Sequence, residues 1–200
     1  MRPADDPGCV GCAHLVTLRA LRRAGVPVQG GLGCEEVDGA RVAPAYGRWA
    51  EVTGLERLRR RGAGEFLAEA FRAGAALVLV ADRVAPVRSI RMEEEMARAG
   101  ARFAWLDLDD AAGAEARVRE ALDRPGTVLL ALASCVNGTA RQAPFAVDAS
   151  LCNRCGNCLT LACPALLDGG ESSVVDPDAC TGCGRCAPLC RSRALGPGSG

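Results

Sequence analysis

SLCNRCGNCLTLACPA, residues 150–165, sets Cys152, Cys155, Cys158 and Cys163 within one short stretch, and ACTGCGRCAPLCRS, residues 179–192, nearly repeats it with Cys180, Cys183, Cys186 and Cys190. An iron–sulfur cubane needs four thiolates converging on a compact inorganic core. Three of them at C-x2-C-x2-C spacing come from one tight loop, because each two-residue step turns the chain around the core. The fourth must arrive from elsewhere. Zinc is the rival ligand, but structural zinc sites use two C-x-x-C pairs from separate knuckles. A third cysteine in each loop would be surplus for one zinc, so the spacing points to two 4Fe–4S clusters.

In the two-cluster ferredoxin pattern the fourth cysteine of each run ligates the other cluster. Applied here, cluster 1 takes Cys152, Cys155, Cys158 and Cys190, and cluster 2 takes Cys180, Cys183, Cys186 and Cys163. The crossing ties two halves with little apolar core into one pseudo-symmetric α+β unit. Two details depart from the simplest pattern. Four residues, LTLA, precede Cys163 where three are usual, and Cys190 is followed by Arg191 instead of Pro. A guanidinium beside a cluster would raise its potential.

From Val147 the composition turns to Cys, Gly and Pro, which predicts a module over 146–195 and a disordered tail over 196–200. Residues 1–145 read differently, as helices and apolar runs in alternation. AHLVTLRALRRAG, EFLAEAFRAG, SIRMEEEMARAG (N-cap Ser89) and DAAGAEARVREALDRPG carry helical periodicity. VPVQ, AALVLVA, RFAWLDL and TVLLALAS read as strands, the apolar ones covered on both faces. This rhythm predicts an α/β domain with a parallel sheet flanked by helices. Residues 34–62 have no clear period and predict a long loop with a short helix near Leu55–Arg60. The run RLRRRG reads as a solvated helix face, with a docking patch for an acidic partner as the alternative.

The chain of 200 residues is 49% hydrophobic, enough for a packed core, although aromatics are only 4%. Its 24 basic residues, all Arg, balance 24 acidic ones. That balance gives no bulk electrostatic case for nucleic acid or an anionic membrane. No run reaches the ~18 apolar residues of a membrane span. MRPADDPGCVGC lacks the apolar segment of a secretory signal. Twelve cysteines without such a signal predict a reducing cytoplasm, where thiolates hold metal or do redox work.

Cys9, Cys12, Cys34 and Cys135 remain, in CVGCAH, GGLGC and ASC, at strand–helix connections where parallel sheets place their sites. Spacing alone leaves zinc, a C-x-x-C redox pair and a third cubane open. The order CVGCAH, GGLGC, a late SC and two ferredoxin motifs resembles the end of the alpha subunit of indolepyruvate:ferredoxin oxidoreductase, within the 2-oxoacid:ferredoxin oxidoreductases. The resemblance is strongest over 9–34 and 127–195. It implies a reduced thiamine-diphosphate-type α/β domain with a proximal 4Fe–4S cluster on Cys9, Cys12, Cys34 and Cys135.

Departures from that family bear on function. Its thiamine site uses a Gly-Asp-Gly-type Asp and a later Asn to hold Mg²⁺. Here GAGEF puts Ala63 in the place of the Asp, Arg83 stands where the Asn is expected, and GGLGC has Gly31 where the family has a carboxylate. A divalent ion needs hard oxygen ligands, which Ala63 and Arg83 do not offer. Glu65 and Asp82 survive nearby and could hold a distorted site. The partner domain that presents the activating Glu is absent from this sequence. His14, the single histidine, reads as a helix-start residue hydrogen-bonding to a cluster or carbonyl; Trp49, Trp105 and Tyr46 read as packing.

The sequence therefore predicts an electron-transfer protein with three 4Fe–4S clusters and no thiamine diphosphate. It would relay single electrons between a partner oxidoreductase subunit and a soluble ferredoxin-type carrier. The alternatives are an alpha-type catalytic subunit completing a thiamine site with another chain, and a non-catalytic iron–sulfur scaffold or redox sensor.

Overall fold

The computed structural model describes residues 9–30, 49–53, 58, 60–82, 90–133 and 140–198. Strands β1 (Val28–Gly30), β2 (Trp49–Thr53), β3 (Ala75–Asp82), β4 (Arg102–Trp105) and β5 (Thr127–Leu132) form one sheet in the order β1-β2-β3-β5-β4. Every neighbouring pair is parallel. Helices α1 (His14–Arg23), α2 (Ala63–Arg72), α3 (Ile90–Arg98) and α4 (Ala111–Asp123) come between the strands.

Successive strand residues point to opposite faces, so a strand that is apolar throughout can serve two cores at once. Leu77, Leu79, Leu129 and Ala131 pack with Leu15 and Leu21 of α1 and Val118 and Leu122 of α4. Val78, Val80, Val128 and Leu130 turn the other way, onto Phe66 and Leu67 of α2 and Met92 and Met96 of α3. Burying each such leucine contributes about 1.5–3 kcal/mol. Helix α4 starts at Asp110, whose carboxylate accepts the N–H groups of Ala112 at 3.1 Å and Gly113 at 2.9 Å, the usual N-cap arrangement.

Three expectations need correction. The segment read as a long loop over 34–62 contains β2, which pairs with both β1 and β3. Glu51 hid it: a carboxylate in the middle of WAEVT breaks the apolar run, yet Glu51 is only 4% exposed. Within the proposed short helix, Leu58 and Arg60 are helical, and the rest lies outside the described residues. The first strand occupies Val28–Gly30 and starts two residues later than VPVQ. Finally, the tail begins later than 196, because Leu195–Pro197 forms strand β9.

That strand belongs to the C-terminal part. Here β6 (Phe145–Val147) pairs antiparallel with β9, and β7 (Leu166–Asp168) pairs antiparallel with β8 (Ser173–Val175). The two parts share a core: Leu161 and Leu189 of the C-terminal part pack in the same apolar cluster as Leu15 and Leu21. Of the remaining sequence readings, Arg61 pairs with Glu69 at 2.8 Å and is 40% exposed, as a solvated helix face should be. Trp105 packs beside Val128 and Leu130 and donates to the Glu93 carboxylate at 2.9 Å. Gly31, Cys34, Tyr46, Arg83, Ser89 and Cys135 lie outside the described residues. Among the described residues no helix is long and apolar enough to cross a membrane.

Candidate metal centres

The two cysteine loops are built on one plan. Each follows a short strand, β6 or β8, and each has an Asp four residues before its first cysteine, Asp148 and Asp176. Cys152 N–H donates to the Asp148 carbonyl at 3.1 Å, and Cys180 N–H to the Asp176 carbonyl at 2.9 Å. The carboxylates tighten the same turns. Asp148 accepts the N–H and hydroxyl of Ser150 at 2.9 and 2.6 Å, and these two bonds hold its carboxyl below the usual range. Asp176 accepts the N–H groups of Asp178 and Ala179 at 3.0 and 3.2 Å. Sequence reading missed both aspartates; their identical offset from the cysteines was the available signal.

Beyond the third cysteine each loop makes one 3-10 turn, Leu159–Leu161 or Ala187–Leu189. The extra residue before Cys163 is absorbed at Ala162, which takes a left-handed φ of 56° and so redirects the chain within a single residue. Asn157 links the loops by donating its amide to the Leu189 carbonyl at 3.0 Å.

Cys163, Cys180, Cys183 and Cys186 line one hollow, walled by Phe145, Leu161, Leu166 and Val175. Its remaining wall comes from the N-terminal part: Val10, Gly11, Cys12 and Leu15. Gly11 N–H reaches the Cys163 sulfur. Of the other four cysteines, two meet in one apolar cluster. Cys158 and Cys190 pack round Leu166 and Leu195. Cys152 joins them through Asp148, whose N–H donates to the Ala194 carbonyl at 2.7 Å, while Cys155 is exposed. Cys9 is exposed and Cys12 half-buried; their N–H···O bond of 3.1 Å closes the C-x-x-C turn just before α1. His14 opens that helix and is 3% exposed.

Burial pushes the Cys186 thiol up to about 12, reinforced by the neighbouring Cys183, Cys163 and Cys180 sulfurs. Cys163 is raised by burial and by Cys183 and Cys180, against the opposing N–H groups of Gly11 and Ala165. Thiolates crowded into an apolar hollow repel one another, and a polynuclear cation among them removes that cost. Cys190 goes the other way. Burial disfavours its thiolate, but the Ser192 hydroxyl and the N–H groups of Leu195, Ala194 and Ser192 outweigh it. Backbone N–H groups aimed at sulfur are a known lever on cluster potential.

Among the described residues no three His, Cys, Asp or Glu side chains close on a single-ion site. A lone zinc would need four sulfurs within ~2.3 Å of one point. Thiols arrayed around a shared hollow suit a larger inorganic core, so this donor set fits an iron–sulfur cluster.

The C-terminal part is thus an iron–sulfur unit of ferredoxin type. Residues 145–191 match the family of the 4Fe-4S dicluster domain, which supports an electron-transfer role; the α/β part lies outside the match. No curated protein and no solved structure matches the chain.

Proposed function

We propose that the protein is an electron-transfer subunit that relays single electrons between a partner oxidoreductase and a ferredoxin-type carrier. Cys152, Cys155, Cys158 and Cys190 would hold one 4Fe–4S cluster; Cys163, Cys180, Cys183 and Cys186 a second; Cys9, Cys12, Cys34 and Cys135 a third. A bound 4Fe–4S cluster supplies reversible one-electron storage. The chain supplies the thiolates, the N–H donors to sulfur and an apolar wall that limits water.

One observation carries this reading: the Cys9–Cys12 loop forms a wall of the hollow lined by Cys163, Cys180, Cys183 and Cys186. Cys12 of the N-terminal part meets four thiols of the C-terminal part there, which suits a path for electrons between the two parts. The α/β part would descend from a thiamine-diphosphate-type domain of the indolepyruvate:ferredoxin oxidoreductase alpha subunit, with its cofactor ligands lost. In support, Ala63 is the first residue of α2 and 6% exposed, a methyl group where a ligand oxygen is required.

Anaerobic purification with iron and sulfide counted per chain tests the proposal. About twelve irons correspond to three cubanes and about eight to the C-terminal pair alone; zinc in their place would end it. Binding of thiamine diphosphate with Mg²⁺ would revive the catalytic alternative. Cluster-loaded protein that exchanges electrons with no carrier would leave only a scaffold or sensor.

A further inference from the structure

We propose that an acidic one-electron carrier protein docks on the face around Cys152, Cys155 and Cys190, held by Arg154, Arg191 and Arg193. This rests on the relay reading above and adds to it the docking face and the charge of the carrier.

The three arginines lie on, or two residues beyond, a pair of turns that touch. The turn at Asp148–Cys152 lies against the turn at Cys190–Ala194, joined by the Asp148 N–H to Ala194 carbonyl bond of 2.7 Å. Arg191 and Arg193 sit on the second turn, and Arg154 follows Cys152 by two residues; all three are exposed. Leu151, 52% exposed, supplies an apolar centre beside them.

These arginines are also unused by the fold. Several arginines elsewhere are tied down: Arg19 to Glu115, Arg61 to Glu69, Arg98 to Glu94, Arg117 to Glu120. Among the described residues Arg154, Arg191 and Arg193 make no ion pair and no side-chain hydrogen bond. The nearby Asp148 carboxylate is bonded to the neutral Ser150 and keeps its charge, so three guanidiniums stand against this one carboxylate.

Backbone conformation adds an independent argument. Arg154 and Arg193 hold left-handed φ values of 56° and 55°, a conformation that is costly for any residue with a Cβ. In the companion loop the place of Arg154 is taken by Gly182, with φ of 73°. A side chain kept where glycine is cheaper signals a use for that side chain. The opposite hollow, at Cys163 and Cys186, is covered by Gly11, Cys12 and Leu15, so among the described residues the arginine face is the end left open to a partner. Exposed guanidiniums beside an exposed leucine complement the acidic surface of a carrier protein and raise its encounter rate.

The full cluster-loaded chain, with a purified flavodoxin as acidic probe, gives the test. Binding is followed by calorimetry and electron exchange by stopped flow, at roughly 20 and 200 mM salt. The double variant R154G/R193G suits both left-handed positions and should keep its iron, and R191E adds a charge reversal. Affinity and exchange rate should fall roughly tenfold or more at low salt in R154G/R193G/R191E. Methyl viologen, a small dication, should be reduced no more slowly by the variant. Salt-insensitive binding, unchanged affinity in the variants, or preference for a basic cytochrome would overturn the docking face while the relay stands. If the wild-type chain exchanges electrons with no carrier although dithionite reduces it, both fall together.

Discussion

Arg19 of α1 donates its Nε–H to the Thr160 hydroxyl of the C-terminal part at 2.8 Å, while its Nη1 pairs with Glu115 of α4 at 3.2 Å. The side chain is 5% exposed, so one buried cation ties the sheet domain, its last helix and the first cysteine loop together. Glu115 stays ionised beside it. Burial disfavours the carboxylate, but the Arg119 hydrogen bond and the charges of Arg23, Arg19 and Arg119 outweigh that. Thr160 passes the contact on, donating to the Asn157 carbonyl at 2.6 Å.

Arg19→Met keeps the apolar stem and removes the charge-assisted bonds. It should lower stability by about 2 kcal/mol. Thr160→Val, which loses a neutral partner, should cost about 1 kcal/mol. Denaturation midpoints measure both. Limited proteolysis should also show earlier cleavage between the two parts in Arg19→Met; equal losses in both variants, or none, would mean the contact is incidental.

This contact explains what the sequence could and could not announce. The C-terminal iron–sulfur unit was legible because C-x2-C-x2-C is chemistry written locally. The parallel sheet was legible because AALVLVA and TVLLALAS are apolar at every position, as strands covered on both faces must be. The strand Trp49–Thr53 was not, because Glu51 and Thr53 point polar groups into a buried face, at 4% and 1% exposure. Only their tertiary surroundings make that tolerable. Arg19 was equally hidden: on a helix rich in arginine nothing local distinguishes the one that turns inward. Its partner Thr160 is 141 positions away.

Gly182 separates a structural glycine from a merely convenient one. Its φ is 73°, and a Cβ there would lie 2.5 Å from the Ala143 carbonyl oxygen. That oxygen belongs to the backbone and cannot swing aside. Its own N–H points at the Cys180 sulfur at 3.5 Å. Gly182→Ala should therefore displace the loop, cost about 1–3 kcal/mol and reduce iron bound through Cys180 and Cys183. Gly156→Ala is the control. Its φ of 64° carries the same conformational cost, yet open space surrounds the added methyl. A larger iron loss in Gly156→Ala than in Gly182→Ala would contradict the steric argument.

The crossed ligand scheme is open to a double-mutant test. Cys163 belongs to the first run in sequence but lines the hollow of the second, with Cys180, Cys183 and Cys186. Cys163→Ser and Cys183→Ser should each remove about four irons, and the pair together no more than either alone. Cys163→Ser combined with Cys155→Ser should instead remove about eight. Additive loss in the first pair would mean that each run closes on its own cluster.

Removing the metal should divide the molecule along its cores. The C-terminal part has few buried apolar groups of its own, centred on Cys158, Leu166 and Leu195, and its three-residue strands cannot stand alone. The sheet domain buries Leu77, Val78, Leu79, Val80 and Leu130 completely, with no thiol among them. Anaerobic chelation should therefore open the amides of β6 to β9 to hydrogen exchange within minutes while those of β3 and β5 remain protected. Leu161 and Leu189 should lose their grip on the shared core at the same time, weakening protection in α1. Simultaneous exchange of β3, β5 and the C-terminal strands would show that iron stabilises the whole chain, and that the sheet cannot hold its shape without the unit docked against it.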